Sequence, residues 1–576
     1  MNNYKLTGIV LILLINSYRA IAGGATFVGP ASDSNCQFNS IQAAFDSGAT
    51  EIFVSTEMQY NENITVPDTN LDVVIRGGFT DCSTNSFDPA LKSTLSGILA
   101  NLPVMVIMPS TERKSIIIRN MFIVNGTGSG FIPAGGINIP SSNDILTIRE
   151  TTIALNEGLL GGGIYLSGVS GGDRAVLFLT ENSLILNNSS SSETLGGGGI
   201  YCENAAVTIW SNSSIKLNTT EGSGGGIYAE ECTVSEWSGE SINDDPEKGI
   251  FGNKANIHGG GIFATNGSAI QLGTANEVAI FFGSVVNNTA DNNHDGIGDG
   301  GGIYVNDSTV NLFGSIVQSN VSGGNGGGIY AQLNANLKML RQNDLCWTGY
   351  KCNQIIDNQT DPSGGNGGGV YLTNGAFGVI ETAYFEGNRG DNGTAIYITS
   401  EPSELTISNT TFFNNGNNGS EDFSDNNVIM ADNESNIHSI HNTFYNNGET
   451  VSTFRNQNDS GLIIQGNIIY SDTAVSAVRT ASAISVGVDC VNTNLLPLTG
   501  TDVFSAPITY VNEANGDLRL SADDQGAQDK CPDFGIGLDV EGQERPHDNP
   551  LLVNLAGSSD VGADELTDLI FANGFE

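Results

Sequence analysis

A unit of about 30 residues recurs along most of this chain, and that period constrains the fold more than any other feature. One element is a glycine triplet followed by an aliphatic and an aromatic residue. It stands as GGGIY at 161–165, 197–201, 224–228, 300–304 and 326–330, as GGGIF at 259–263 and as GGGVY at 367–371. Weaker copies are GGINI at 135–139 and TAIYI at 394–398. A second element, apolar-x-x-Asn, closes each unit: FIVN, IALN, LILN, IKLN and IFGN end at Asn125, Asn156, Asn187, Asn218 and Asn253. It continues through Asn288, Asn320, Asn358, Asn388, Asn415, Asn447 and Asn467. Between copies lie short β-rich runs separated by Gly, Ser and Asp turns, such as GGIYLSG, AVLFLTEN and SLILN. None has the length or the 3.6-residue period of a helix. About a dozen such units, three strands each, predict a parallel β-helix, an all-β solenoid whose coils stack about 4.8 Å apart.

Strand alternation assigns the faces. Ile164, Ile200, Ile227, Ile262, Ile303, Ile329, Val370 and Ile396 form one apolar column, and Leu166, Cys202, Ala229, Ala264, Val305, Ala331, Leu372 and Ile398 form another. Both are expected inside. The polar column Ser167, Glu203, Glu230, Thr265, Asn306, Gln332, Thr373 and Thr399 then faces out. So does an aromatic column: Tyr165, Tyr201, Tyr228, Phe263, Tyr304, Tyr330, Tyr371 and Tyr397. A one-residue slip would bury the polar column, so the register is well specified. The glycines supply positive φ at the tight turn. The repeating Asn is expected to take the left-handed conformation and to hydrogen-bond from coil to coil.

Composition narrows the function. Lys+Arg number 21 and Asp+Glu 63, a formal charge of −42, which excludes a nucleic-acid binder built on a basic face. Glycine is 74 of 576 residues without a G-X-Y period, so collagen is excluded. Lys5, the apolar run Leu6 to Ile15 and Ala20-Ile21-Ala22 read as a secretory signal over residues 1–22. No later segment is long enough to span a bilayer as a helix. Eight cysteines suit an oxidising compartment. Many connectivities are open, and neighbour pairing is the expectation: Cys36 with Cys82, Cys202 with Cys232, Cys346 with Cys352, and Cys490 with Cys531.

Over residues 120–470 the GGG-[IV] and [FIV]xxN elements resemble the repeats of polymorphic outer membrane proteins and, more broadly, bacterial right-handed parallel β-helix surface proteins. The resemblance implies exposure at the surface of a Gram-negative cell, or secretion from it, and in some members adhesion. Autotransporting members end in a membrane β-barrel, for which the repeats leave no room here. Residues 36–80, with a short helix from Ser40 to Asp46, resemble the N-terminal cap of secreted β-helix proteins. Near the other end, Asp539, Gly542, Arg545, Pro546, Asp560, Gly562, Ala563 and Glu565 match the choice-of-anchor Q module. Asp564 stands where that module usually has an aromatic residue, and Arg545 reads as half of a capping ion pair. The last residues, LIFANGFE, resemble a C-terminal tag of exported proteins. The organisation expected is a signal (1–22), an N-terminal cap and first coils (23–110), the repeat region (111–480), C-terminal coils and cap (481–566) and a sorting tail (567–576).

Three sets of residues are candidates for chemistry. Asp291, Asn293, Asp295 and Asp299 follow D-x-[DN]-x-D-G-x-x-D, the alternating oxygen donors of a Ca²⁺ loop, although Gly302 stands where an EF-hand has its closing Glu. The eight outward rings are either a platform for a glycan or a self-stacking ladder. Glu203 and Glu230 lie one coil apart on the outward face. They are the carboxyls that a polysaccharide lyase or glycoside hydrolase on this fold would use, a class that includes pectate lyases and polygalacturonases. Neither a His nor an Arg accompanies them in that column, and His438 and His441 fall on opposite faces of a strand. The expectation is therefore a secreted or cell-surface protein that binds a glycan or a cell-surface protein without turning it over. The alternative is a polysaccharide-degrading enzyme.

Overall fold

A computed structural model describes residues 25–566 except 170, 172–173, 240–246, 275–281, 342–352, 363, 417–426, 449–450, 483–484, 496, 548–553 and 555. The proposed signal, the C-terminal tail, Cys346 and Cys352 lie outside the described residues. The chain winds into a parallel β-helix. The glycine-motif strands, from Ile64–Val66 to Ser476–Ala481, form one uninterrupted ladder of 14 parallel strands. Two further long ladders, merging at Ser485–Thr493, make a 31-stranded sheet, and a short fourth ladder has five strands. The long ladder has more strands than the dozen or so units expected. The first coils, at Ile64–Val66 and Met105–Ile107, and the last, at Ser452–Gln457 and Ser476–Ala481, keep the winding without the glycine triplet.

The register follows the alternation. Ile164 pairs with Ile200, Ile200 with Ile227, and so on coil by coil to Ile396. Both apolar columns are fully buried in the bore, as Ile164, Ile303, Leu372 and Ile398 illustrate. Toward the C-terminal end the bore is filled by Phe385, Phe412 and Phe444, stacked at 4.9 and 4.5 Å. Of each glycine triplet only the first takes positive φ, as Gly161 does at +64°. The third is needed for closeness, because a Cβ on Gly163 would meet Gly199 O at 2.7 Å.

The asparagines corrected one expectation. Ten of them, Asn156, Asn188, Asn218, Asn253, Asn288, Asn320, Asn358, Asn388, Asn415 and Asn447, form a continuous ladder. Each Nδ2 donates to the Oδ1 of the next at 2.9–3.1 Å. The left-handed residue is the one before the ladder Asn: Leu155, Asn187, Leu217 and Gly252 all have φ between 52 and 63°. In the LILNN copy the ladder member is therefore Asn188, while Asn187 supplies the turn. The kink points the next side chain into the coil, where its amide meets its neighbours.

At the N-terminus the helix Ile41–Asp46 lays Ile41, Ala44 and Phe45 over the open bore. Ser40 caps it through Ala43 N–H, and the Glu62 carboxylate accepts from Ile41 N–H at 2.7 Å. Glu62 thus satisfies donors that a helix start leaves unpaired. Among the described residues three disulfides are formed, Cys36–Cys82, Cys202–Cys232 and Cys490–Cys531. They are consistent with an extracellular location. Among the described residues, no helix is long and apolar enough to cross a membrane.

Candidate functional site

The outward aromatic column is a stack. Tyr165, Tyr201, Tyr228, Phe263, Tyr304, Tyr330, Tyr371 and Tyr397 follow one another at centroid distances of 4.9–5.4 Å, with planes within 22° of parallel. Parallel strand spacing imposes this separation, and an identical ring in each coil makes face-to-face overlap inevitable. Tyr201, Tyr228, Tyr304, Tyr330 and Tyr397 are buried. Each interior ring has both faces against its neighbours, so only ring edges and hydroxyls remain. A sugar stacks on a ring face, and these faces are taken.

The hydroxyls are held by the polar column. Tyr165 donates to Glu203 Oε2 and Tyr201 to Glu230 Oε2, both at 3.2 Å. Tyr397 donates to Asp432 Oδ2 at 2.8 Å, and Gln332 Nε2 donates to Tyr304 at 2.6 Å. Burial, with the neighbouring carboxylates, pushes the Tyr165 and Tyr228 hydroxyls up to about 12. They therefore stay protonated and act as donors. Glu203 and Glu230 are adjacent in register and each anchors a tyrosine of the preceding coil. Parts of the polar column, such as Ser167, Thr265 and Thr373, face outward yet are covered by surrounding chain.

The loop residues proposed for Ca²⁺ are turned to different partners. Both Asp291 oxygens accept backbone amides, Asp295 N–H at 2.8 Å and Gly296 N–H at 3.0 Å. Asn293 donates to Asp295 Oδ2 at 2.8 Å. Asp299 points away, accepting from Asn325 N–H at 2.7 Å. Its own N–H donates to His258 Nδ1 at 3.1 Å, and His258 lies against the Tyr304 ring at 4.5 Å. Burial lowers His258 to about 4 and raises Asp299 to about 6. An Nδ1 that accepts an amide is unprotonated, so this contact is a hydrogen bond of neutral histidine rather than an ion pair. Asp291, Asp295 and Asp299 thus share a loop without converging on one point.

Three features escaped the sequence reading. Glu236 occupies an inward strand position and is fully buried. It accepts from Ser238 N–H at 3.0 Å, from Ser284 N–H at 2.6 Å and from the Ser238 hydroxyl. Its burial raises its pKa to about 7. The alternation in TVSEW, with Val234 and Glu236 on one face, carried that signal. A shallow groove of about 600 Å³ lies at a corner of the later coils, lined by Ser400, Glu401, Asn433, Glu434, Asn458, Asp459 and Ser482. The Glu401 carboxyl against it raises Glu434 above the usual carboxylate range. The groove unites residues of four coils, which no local motif marks.

The third feature is the lateral docking of the C-terminal segment. Arg545 pairs with Glu565 at 2.9 Å, both side chains fully buried. Arg545 also contacts His441 Nδ1 at 3.1 Å and donates to Asp560 O and Gly562 O. Gly562 N–H reaches Gly466 O at 2.7 Å and Ala563 N–H reaches Thr443 Oγ1 at 3.0 Å. Tyr510, Leu518, Leu520 and Val561 pack against Tyr384, Phe413 and Ile468 on the outside of the coils. The ion pair therefore fastens a flap to the flank of the solenoid. His438 faces out, its Nε2 2.7 Å from Gln465 Oε1, while His441 is buried under the flap. The chain matches no protein-family model and no curated protein.

Proposed function

We propose that this chain is a secreted or cell-surface β-helical protein of a Gram-negative bacterium that binds a glycan or a cell-surface protein without turning it over. The observation that carries the reading is the employment of Glu203 and Glu230. Each carboxylate anchors a tyrosine hydroxyl of the preceding coil, which gives both glutamates a part in holding the stack. The resemblance of the repeats to polymorphic outer membrane proteins, and of Asp539 to Glu565 to the choice-of-anchor Q module, supports surface exposure. The net charge of −42 favours long rods that repel one another and stay soluble. The test is to incubate the purified protein with pectin, alginate and glycosaminoglycans and assay reducing ends and unsaturated uronides, alongside binding to glycan arrays and whole cells. Binding without turnover is expected. Robust turnover lost in Glu203→Gln would overturn the reading.

A second reading rests on the corner groove. Glu401 and Glu434 bring two exposed carboxyls to one open groove, the residue type that acid–base hydrolysis uses. That reading predicts glycoside hydrolysis that disappears in Glu434→Gln and persists in Glu203→Gln.

A further inference from the structure

The flap carries four buried carboxylates, Asp539, Asp560, Asp564 and Glu565, and their eight oxygens are almost fully matched by donors. Asp560 accepts from Asp529 N–H at 2.8 Å and from Leu566 N–H at 2.7 Å, one on each oxygen. Glu565 accepts from His547 N–H at 2.7 Å on one oxygen, and from Arg545 and Asp560 N–H on the other. Asp539 accepts from Gln543 N–H at 2.7 Å and Glu565 N–H at 3.0 Å. Asp564 Oδ2 accepts from Leu520 N–H at 2.6 Å. The remaining oxygen, Asp564 Oδ1, is buried and has no donor.

Its polar neighbour is a second carboxyl. Asp564 lies in side-chain contact with the Asp539 carboxyl, with Glu541 adding negative charge nearby. Asp564 is 4% exposed and Asp539 0%. Arg545 holds Glu565 and Arg519 holds Asp517 and Glu541, while Arg341 lies on the Asp539 turn and donates to the Asp539 carbonyl rather than to either carboxylate. Two carboxylates in contact in a buried site cannot both ionise without a counter-charge. In the same turn Gln543 Oε1, a neutral oxygen, is also buried without a donor.

We propose that Asp539 and Asp564 hold a Ca²⁺ ion, with Gln543 Oε1 as a neutral donor and water completing the shell. Only oxygen donors are present, and each carboxylate retains lone pairs beside its backbone bonds, both of which suit Ca²⁺. The ion ties the turn that begins at Asp539 to the one that ends at Glu565, two of the flap segments that meet the coils. This site is separate from the Asp291–Asp299 loop.

The test uses the full-length protein, stripped with a chelator and titrated with CaCl₂ in a calorimeter, with melting followed in parallel. One saturable site and a rise in melting temperature are expected. Asp564→Asn and Asp539→Asn should each abolish both responses, and Asp295→Asn should leave them unchanged. An amide at position 564 removes the like-charge contact and can donate to Asp539, so Asp564→Asn in chelator should melt no lower than the stripped wild type. Absence of heat and of a melting shift in the wild type overturns the proposal. Full retention of both in either carboxamide variant overturns it too.

Discussion

The side-chain oxygen of Asn188 accepts two hydrogen bonds from Asn156, one from its backbone N–H at 3.1 Å and one from its Nδ2 at 3.0 Å. Both donors are buried, so removing the acceptor leaves the Asn156 N–H without a partner and its Nδ2 with only the bond to Ile123 O. A buried unpaired donor costs about 1–3 kcal/mol, and Asn188→Ala should lower stability by roughly 2–4 kcal/mol. Its sequence neighbour behaves differently. Asn187 has φ 52° and turns outward, a conformation that Gly adopts freely, so Asn187→Gly should stay within about 0.5 kcal/mol of wild type. Urea midpoints of the two variants, compared directly, check the assignment. Equal losses would mean that the ladder does not run through Asn188.

Glu236 makes stability depend on pH in a defined direction. Burial holds its folded pKa at about 7, above that of an unfolded glutamate, so the folded state binds the proton more tightly. Its contribution is fully present below the unfolded pKa of about 4.3 and is lost as pH rises through about 7. The loss is on the order of 3 kcal/mol, from about 1.4 kcal/mol per pKa unit. Glu236→Gln keeps the shape and cannot ionise. Melting temperatures measured from pH 4 to pH 8 should fall less for Glu236→Gln than for wild type, and the variant should be the more stable at pH 8. Parallel curves would show that Glu236 stays protonated or reaches water.

The legibility of this fold depended on whether information was local. Period and alternation alone placed Ile164 through Ile396 in the bore and Tyr165 through Tyr397 outside, because each coil repeats the same short pattern. The pairs Cys36–Cys82, Cys202–Cys232 and Cys490–Cys531 follow the expected pairing of sequence neighbours, the last of them joining a coil strand to the flap. Facing outward, however, is not the same as being open. The rings bury one another, a consequence of stacking that no single strand displays. Asn187 and Asn188 were indistinguishable by type, and only the backbone kink separates them. Arg545 was readable as half of an ion pair, but the flap's place on the flank of the coils was not, because Arg545 meets His441 across 104 residues of chain.

Arg545 and Glu565 make the flap a unit that can be released. Removing one member of a fully buried pair strands the other charge, at a cost of about 3–5 kcal/mol. Arg545→Met should therefore free the flap while the coils, whose ladders it does not join, keep their β-sheet signal. Limited proteolysis should cut the variant near residues 505–566 at protease concentrations that spare wild type. Adding Glu565→Gln to Arg545→Met should restore part of the protection, because the Glu565 charge is then no longer stranded. Equal resistance of wild type and Arg545→Met would remove the ion pair from the docking.

Tyr330 separates the two readings of the aromatic column. It lies between Tyr304 at 4.9 Å and Tyr371 at 5.1 Å, both within 4° of parallel, and its hydroxyl donates to Gln332 Oε1 at 3.3 Å. If the stack is a structural ladder, Tyr330→Phe gives up one long hydrogen bond and should cost no more than about 1 kcal/mol. Tyr330→Ala gives up two ring contacts and opens a cavity, and should cost about 3–5 kcal/mol. Glycan binding, if the protein shows any, should then survive Tyr330→Phe unchanged. A ring platform predicts the reverse weighting: Tyr330→Ala would fold nearly as well as wild type and lose its ligand. Urea denaturation and glycan titration on the same two variants decide between them, because burial of the Tyr330 faces makes stability the quantity that must respond first.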